Sequence, residues 1–570
     1  MQIVAKGAQD QLVNGNPSFT HFRSVYKRHT DFAMEHFRLN FRSTNLSIPP
    51  SGNLTLRAKV DRNAQLLHDC YLNLTLPAIF SPIVPLTLQQ ILQSPVQPPP
   101  INSSSQAIGY EFQWIPNIGY NMINYVAILI NGQEIVRHTG EWMKLYAALT
   151  YNANKKAILN ELVGNVPELY DPANTSDRTN QYPHAISPSL TKNAEPSIQG
   201  RVLTIPFHFW FCEDVGTALP LIALQHSEVE FVVELKSMYS LFTTLDVNPA
   251  SSTFGTRIAP DSSNPLYSIT HFLSPPSFLN PTIPINSTLT LWNTNAFIEA
   301  NFIFLNDAEL SHIAKSDHSF KITQIDVKSV FGQYGASNDL ELGLRNLCTR
   351  VVWVAQRSDR ASQNDVDNYT NWVNPNKFPS SSFGSFMTSV FSSGSAITSS
   401  VSQRDILLES TIILDGKERF GNKQTQFFSQ IQNYQHNQGR TIIDLPGVYS
   451  YSFSLDNSQI QPSGHINGSM FNRTILRNTY VQPPLALVLQ GTTNTVCVLK
   501  ETALSTNPTT ANRNTLGSDG KLLHSPNELV TIIRKSDAPT LQYSYNVRAY
   551  VESYNFLRVL GGVANVVFSS

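Results

Sequence analysis

The sequence predicts an all-β protein built from two β-sandwich domains. Three observations carry that expectation: alternation of apolar and polar residues with a period of two along the whole chain, few helical segments, and an order of parts that repeats in the two halves. Phe37, Leu39 and Phe41 alternate with Arg38, Asn40 and Arg42. The pattern is cleaner at Val229, Phe231, Val233 and Leu235 against Glu228, Glu230 and Glu234, and returns at Tyr545, Val547, Ala549 and Val551 against Asn546, Arg548 and Glu552. Antiparallel sandwich strands with one buried and one wet face read this way.

Helical patterning is strongest from Glu141 to Leu162, with a second segment around Thr425 to Tyr434 and a short one near Asp307 to Ala314. Each reads as an insertion between strands, which argues against a doubly wound or barrel α/β fold. The duplication is carried by Ile128-Leu129-Ile130-Asn131-Gly132-Gln133-Glu134 and Ile412-Ile413-Leu414-Asp415-Gly416-Lys417-Glu418, each a strand ending in a tight Asn-Gly or Asp-Gly turn. A helical segment and an aromatic strand follow in both halves, Ile205 to Phe211 in one and Val448 to Phe453 in the other.

At 570 residues the chain is long enough for two or more domains that fold on apolar burial without disulfide or metal staples. Charged residues make up 14%, with 40 Lys+Arg against 41 Asp+Glu, so no strong overall positive charge is available for nucleic acid. Phe, Tyr, β-branched residues and 34 Pro favour strands joined by long turns. Cys70, Cys212, Cys348 and Cys497 are widely spaced and read as buried free thiols. No apolar run with a cleavage site opens the sequence, and no stretch of roughly 18 apolar residues occurs, so folding in a reducing cytosol is expected. The sequons, Asn73 among them, carry no implication of glycosylation on that expectation.

A search for chemistry returns no catalytic, cofactor-binding or metal site. The 14 histidines contain no H-x-H pair, and His312 and His318 are spaced wrongly for one helical face. The Gly416 to Lys423 run departs from a phosphate-binding loop and reads as a hairpin turn, and no G-x-S-x-G elbow is present. One local cluster remains, Arg23, Lys27, Arg28 and His29 set among Phe22, Val25, Tyr26 and Phe32. Such an arm suits a membrane headgroup, a nucleic acid or a protein partner, and equally a solvated cover of the chain's own fold.

Three stretches break the strand pattern: Ser81 to Gln106, Leu241 to Ile285, and Arg357 to Gln403. The middle one reads as an interdomain linker. The last is rich in Ser, Asn and Gly and carries Trp372, Phe378, Phe383 and Phe386, the candidate outer-loop aromatics. The expected division is an arm over 1–30, a first sandwich over 31–240, a linker over 241–285 and a second sandwich over 286–570.

The N-terminal run Gly7-Ala8-Gln9-Asp10, Asn14-Gly15-Asn16-Pro17 and Thr20 to Ala33 resembles the major capsid proteins of nucleocytoplasmic large DNA viruses. Further likeness follows in order at Trp114 with Gly119, Asn131-Gly132-Gln133, Gly140-Glu141-Trp142-Met143, Phe209-Trp210-Phe211 and Leu219 to Leu224. The second half adds Asp415 to Phe420, Tyr451 to Leu455 with Gln461 to Gly464, and Tyr554 to Arg558. Relatives tend to carry an Asn-x-Ser-Arg run after the glycine, where this chain has Asn467-Gly468-Ser469-Met470.

The resemblance implies a double jelly roll of two tandem eight-stranded sandwiches and a homotrimeric capsomer of pseudo-hexagonal outline that tiles an icosahedral shell. It further implies contacts with neighbouring capsomers, minor capsid proteins and an internal viral membrane, location in the virion capsid and assembly in the host cytoplasm. Arg23, Lys27, Arg28 and His29 become the expected inner-face anchor, the 357–403 loop an outward tower. No cofactor and no specific nucleic-acid binding are expected. A carbohydrate- or receptor-binding jelly-roll surface protein is the alternative, since loop aromatics stack on sugars.

Overall fold

The computed structural model describes residues 8–24, 26–81, 83–85, 107–109, 111–178, 182–185, 194–245, 257–260, 269–276, 292–361, 363–372, 403–483, 494–500, 528–534 and 543–568. The principal strands of the first half are β1 (Phe32–Asn40), β2 (Leu54–Lys59), β3 (Leu66–Leu76), β4 (Ile123–Ile130), β5 (Gln133–Thr139), β6 (Arg201–Pro206), β7 (Val229–Leu235) and β8 (Phe297–Leu305). Helices α1 (Gly140–Thr150) and α2 (Ala153–Leu162) lie between β5 and β6, and α3 (Asp307–Lys315) follows β8. The second half contributes β9 (His318–Gln333), β10 (Leu347–Arg357), β11 (Leu407–Leu414), β12 (Val448–Ser452), β13 (Thr474–Tyr480) and β14 (Tyr545–Leu560).

One sheet of the first sandwich runs β1-β8-β3, with β6 and the short strand Leu219–Pro220 on the far side of β3; the other runs β2-β7-β4-β5. All these pairs are antiparallel. Alternation in β7 sends Val229, Phe231, Val233 and Leu235 into the core. Its outer row is charged, and Glu230 meets Arg42 at 2.8 Å. The β4–β5 hairpin turns at Asn131 and Gly132, both at positive φ (53° and 76°), as the Asn-Gly pair predicts. Asp415 and Gly416 repeat the conformation at 46° and 80°.

The first sandwich draws on more of the chain than its expected limits. Phe242–Leu245, inside the stretch read as a linker, pairs with Phe112–Trp114. Strand β8, which follows that stretch, pairs along the full length of β1 and also with β3.

In the second half β9-β14-β10-β12 form one sheet, and Asn338–Glu341, β13 and β11 form the centre of the other. Their facing surfaces enclose a core with Val351, Trp353, Ala355, Phe428, Leu476, Tyr545, Val547 and Ala549. Strands β9 and β14 are each 16 residues long, roughly 50 Å at the usual rise. They reach past their own sandwich, so Ile322 of β9 and Leu557 and Val559 of β14 pack in the core of the first.

The predicted helix from Glu141 to Leu162 is two helices. The break comes where Tyr151 turns extended and Asn152 caps α2, accepting from the Lys155 amide at 2.9 Å. The segment expected at Thr425 to Tyr434 contains a π-helical turn, Phe427–Ile431, continuing into Gln432–His436. Helix α3 lies where its pattern places it and is capped by Asn306.

Candidate functional site

The four basic residues of the N-terminal segment, Arg23, Lys27, Arg28 and His29, are all exposed and precede the first strand. Leu12, Phe19, Phe22 and Tyr26 of the same segment are exposed as well, Phe22 almost completely at 99%. Local contacts are short-range, such as Phe19 edge-on to His21 at 5.0 Å and His29 Nδ1 to the Thr30 carbonyl at 2.8 Å. Large apolar side chains held open beside cations form a surface suited to contact with another molecule.

Of the loop aromatics, Phe378, Phe383 and Phe386 lie outside the described residues. Trp372 is half-buried at the base of the loop, with the Arg404 guanidinium 5.8 Å from its ring and its carbonyl accepting from Asn368 Nδ2 at 2.8 Å. The same loop base sends Asp367 and Tyr369 inward, to a place the sequence does not single out.

That place is the junction of the two sandwiches, organised on α1. Thr139 caps the helix, its Oγ1 accepting from the Trp142 amide at 3.1 Å. Gly140 begins it because a Cβ there would stand 2.0 Å from the Tyr120 carbonyl oxygen and 2.4 Å from that of Ile123. The helix lays Trp142, Leu145, Ala148 and Leu149 on Val352, Val354, Val448 and Tyr550 of the second sandwich. Strands β10 and β14 are therefore covered on both faces. In β10, Val351, Trp353 and Ala355 face their own core while Val352 and Val354 face α1, which is why the run is uninterrupted by polar residues.

Double coverage also corrects one expectation. Arg548 and Glu552 alternate with apolar residues as if facing water, but they face the junction. Glu141 of α1 accepts from Arg548 through Nε at 2.6 Å and Nη2 at 2.7 Å, from the Tyr369 hydroxyl at 2.6 Å, and from the Tyr550 hydroxyl. Glu552 pairs with Arg350, which is fully buried. One turn along α1, Lys144 is buried and pairs with Asp367, donating also to Asn121 Oδ1 at 3.0 Å. Asp367 accepts in turn from Asn117 at 2.5 Å and Asn121 at 2.8 Å.

Burial alone would raise the Glu141 carboxyl, but the charge and hydrogen bonds of Arg548, with help from Lys144 and Tyr369, pull it down to about 2. Removing one partner of such a buried pair costs about 3–5 kcal/mol, because the other charge is stranded. The arrangement holds two domains in one orientation. Among the described residues no group of His, Cys, Asp and Glu is placed to hold a metal ion, and no helix is long and apolar enough to cross a membrane.

Two families match the chain, "Major capsid protein N-terminus" over residues 20–266 and "Large eukaryotic DNA virus major capsid protein" over residues 309–515. The major capsid protein of Chrysochromulina ericina virus is 27% identical over 364 residues, 62% of this chain and 57% of that protein. That of Phaeocystis pouchetii virus is 24% identical over 84% of this chain and 92% of its own length, and that of Paramecium bursaria Chlorella virus 1 is 23% identical over 100% and 99%. Among solved structures, the quasi-atomic model of the PBCV-1 virus capsid aligns with a TM-score of 0.60 at 18% identity, covering 97% of this chain and 100% of that one. The Faustovirus major capsid protein aligns with a TM-score of 0.55 at 10% identity, covering 95% and 93%. With both halves matched in order and the sandwiches superposing end to end, the chain has the double jelly-roll fold and belongs to the major capsid proteins of large eukaryotic DNA viruses.

Proposed function

We propose that three copies of this chain form a capsomer of pseudo-hexagonal outline that packs against its neighbours to tile an icosahedral shell. The observation that supports this most is the junction. Two similar sandwiches held side by side by α1, the Glu141–Arg548 and Lys144–Asp367 pairs and the long β9–β14 ladder make one stiff block. A threefold ring of such blocks presents six similar sides, which is the geometry hexagonal packing needs. The role is structural, and the protein is a component of the virion capsid.

In this reading the arm over residues 1–30 lies at the inner face, where Arg23, Lys27, Arg28 and His29 meet minor capsid proteins or the headgroups of an internal membrane. The 357–403 loop points outward, and assembly takes place in the host cytoplasm. The first jelly roll extends through Leu305, because β8 pairs with β1 and β3, and the second begins with β9.

Light scattering of the purified protein together with negative-stain imaging tests the capsomer. A mass of three chains and a hexagonal outline are expected; a stable monomer that never assembles with its virion partners would overturn the reading.

A further inference from the structure

The capsid role leaves unused a pair of thiols at the edge of the junction. Cys70 is buried on β3, and Cys212 ends the turn Trp210–Cys212 with its side chain partly open. Far apart in sequence, they are brought together by bonds to one strand. The Phe207 amide donates to the Cys70 carbonyl at 3.0 Å, and the His68 ring bonds the Phe211 carbonyl at 2.5 Å. Both sulfurs then converge on a single atom, the His68 carbonyl oxygen, with Cys70 Sγ at 3.4 Å and Cys212 Sγ at 4.0 Å. The residue after Cys212 continues to the junction, where the Tyr146 hydroxyl of α1 donates to Glu213 at 3.1 Å.

We propose that Cys70 and Cys212 form a reversible disulfide, a clip that stays open in a reducing compartment and closes when the assembled particle meets an oxidising one. The co-reactant is a small disulfide such as oxidised glutathione. The Cys212 thiolate attacks one of its sulfurs and expels one glutathione thiolate. Cys70 Sγ then attacks the Cys212 sulfur of the mixed disulfide and expels the second. One S–S bond breaks and one forms, and the two electrons and two protons lost by the cysteines appear in two glutathione thiols.

The order of attack follows from access. Cys70 is buried while Cys212 is partly open, so Cys212 is the sulfur that a soluble disulfide reaches first; burial, together with the neighbouring Cys212, also holds the Cys70 thiol well above its ordinary range. Closing the clip would fasten the turn that carries Glu213 to the centre of the first sheet and constrain the unfolded chain over a long loop. The timing of closure rests on the capsid reading; the bond itself does not.

The test uses the full-length protein incubated with oxidised glutathione, alkylated, digested without reductant and analysed by mass spectrometry. A Cys70–Cys212 peptide pair is expected, reversed by dithiothreitol and accompanied by a rise in Tm of roughly 2–8 °C. Both signals should vanish in Cys212→Ser and Cys70→Ser and persist in Cys348→Ser, with the reduced Tm of each variant reporting its folding. Should Cys70→Ser not fold, the partly open Cys212→Ser carries the comparison. Cys212 left as a glutathione adduct with Cys70 alkylated, a Cys212–Cys212 link between copies, or two free thiols would each overturn the proposal.

Discussion

Replacing Glu141 with Gln tests whether the junction holds the sandwiches together. The substitution keeps the size of the side chain, but its single amide oxygen can accept from only one of Tyr369 and Tyr550, which bond different carboxylate oxygens of Glu141, and it strands the Arg548 guanidinium, whose side chain is only 23% exposed. The Glu141 carboxyl is lowered from 4.5 to about 2 in the folded chain, a difference that corresponds to about 3 kcal/mol of stability. Because the folded value lies below the unfolded one, that stability is fully present above pH 4.5 and is lost as pH falls from there through about 2. Glu141→Gln should therefore lower stability at pH 7 by about 3 kcal/mol, read as a fall in Tm of roughly 2–5 °C by calorimetry. The gap to the unsubstituted protein should narrow steadily below pH 4.5. A double-mutant cycle with Arg548→Met should return a coupling of about 2–3 kcal/mol, since the pair removed together leaves no buried charge. A deficit that is the same at pH 7 and pH 3, or a coupling near zero, would refute the assignment of the pair as the fastener.

Gly140→Ala should cost at least about 3 kcal/mol or abolish soluble expression, because the added Cβ falls on the Tyr120 and Ile123 carbonyl oxygens; thermal melting checks it, and an unchanged Tm would contradict the close approach. His208 is buried between Tyr120 and Tyr151, whose hydroxyls lie 2.9 and 3.1 Å from its two ring nitrogens, and burial lowers it to about 3. Its neutral form thus stabilises the fold above pH 6.5 and that contribution is lost as pH falls toward 3, so His208→Gln should remove up to one proton, about 1.4 kcal/mol per pH unit, from the acid slope of stability. Deleting residues 1–30 should leave trimers intact and impair shell assembly, as seen by light scattering and electron microscopy; loss of the trimer would refute the placement of the arm. Limited proteolysis of intact particles should cut first within 357–403, whereas complete protection there would place that loop in an interface.

The sequence by itself determined what is local. Alternation in β7 names its buried row, Asn131-Gly132 and Asp415-Gly416 name their turns, and the helical pattern near Asp307 to Ala314 names α3. It also determined that the halves are two versions of one design, since the repeated turn and strand order is visible in single residues. Tertiary structure alone decided which faces meet. Arg548 and Glu552 carry the period of a strand with one wet side, and nothing within β14 tells that α1, 407 residues earlier at Glu141, will cover that side. Similarly, the first sandwich is completed by β8, which comes from beyond an apparent linker and pairs along the full length of β1 and with β3. A period of two records that a strand has two faces, but what each face touches depends on segments hundreds of residues away. The burial of a charge is therefore decided by the packing of the whole chain.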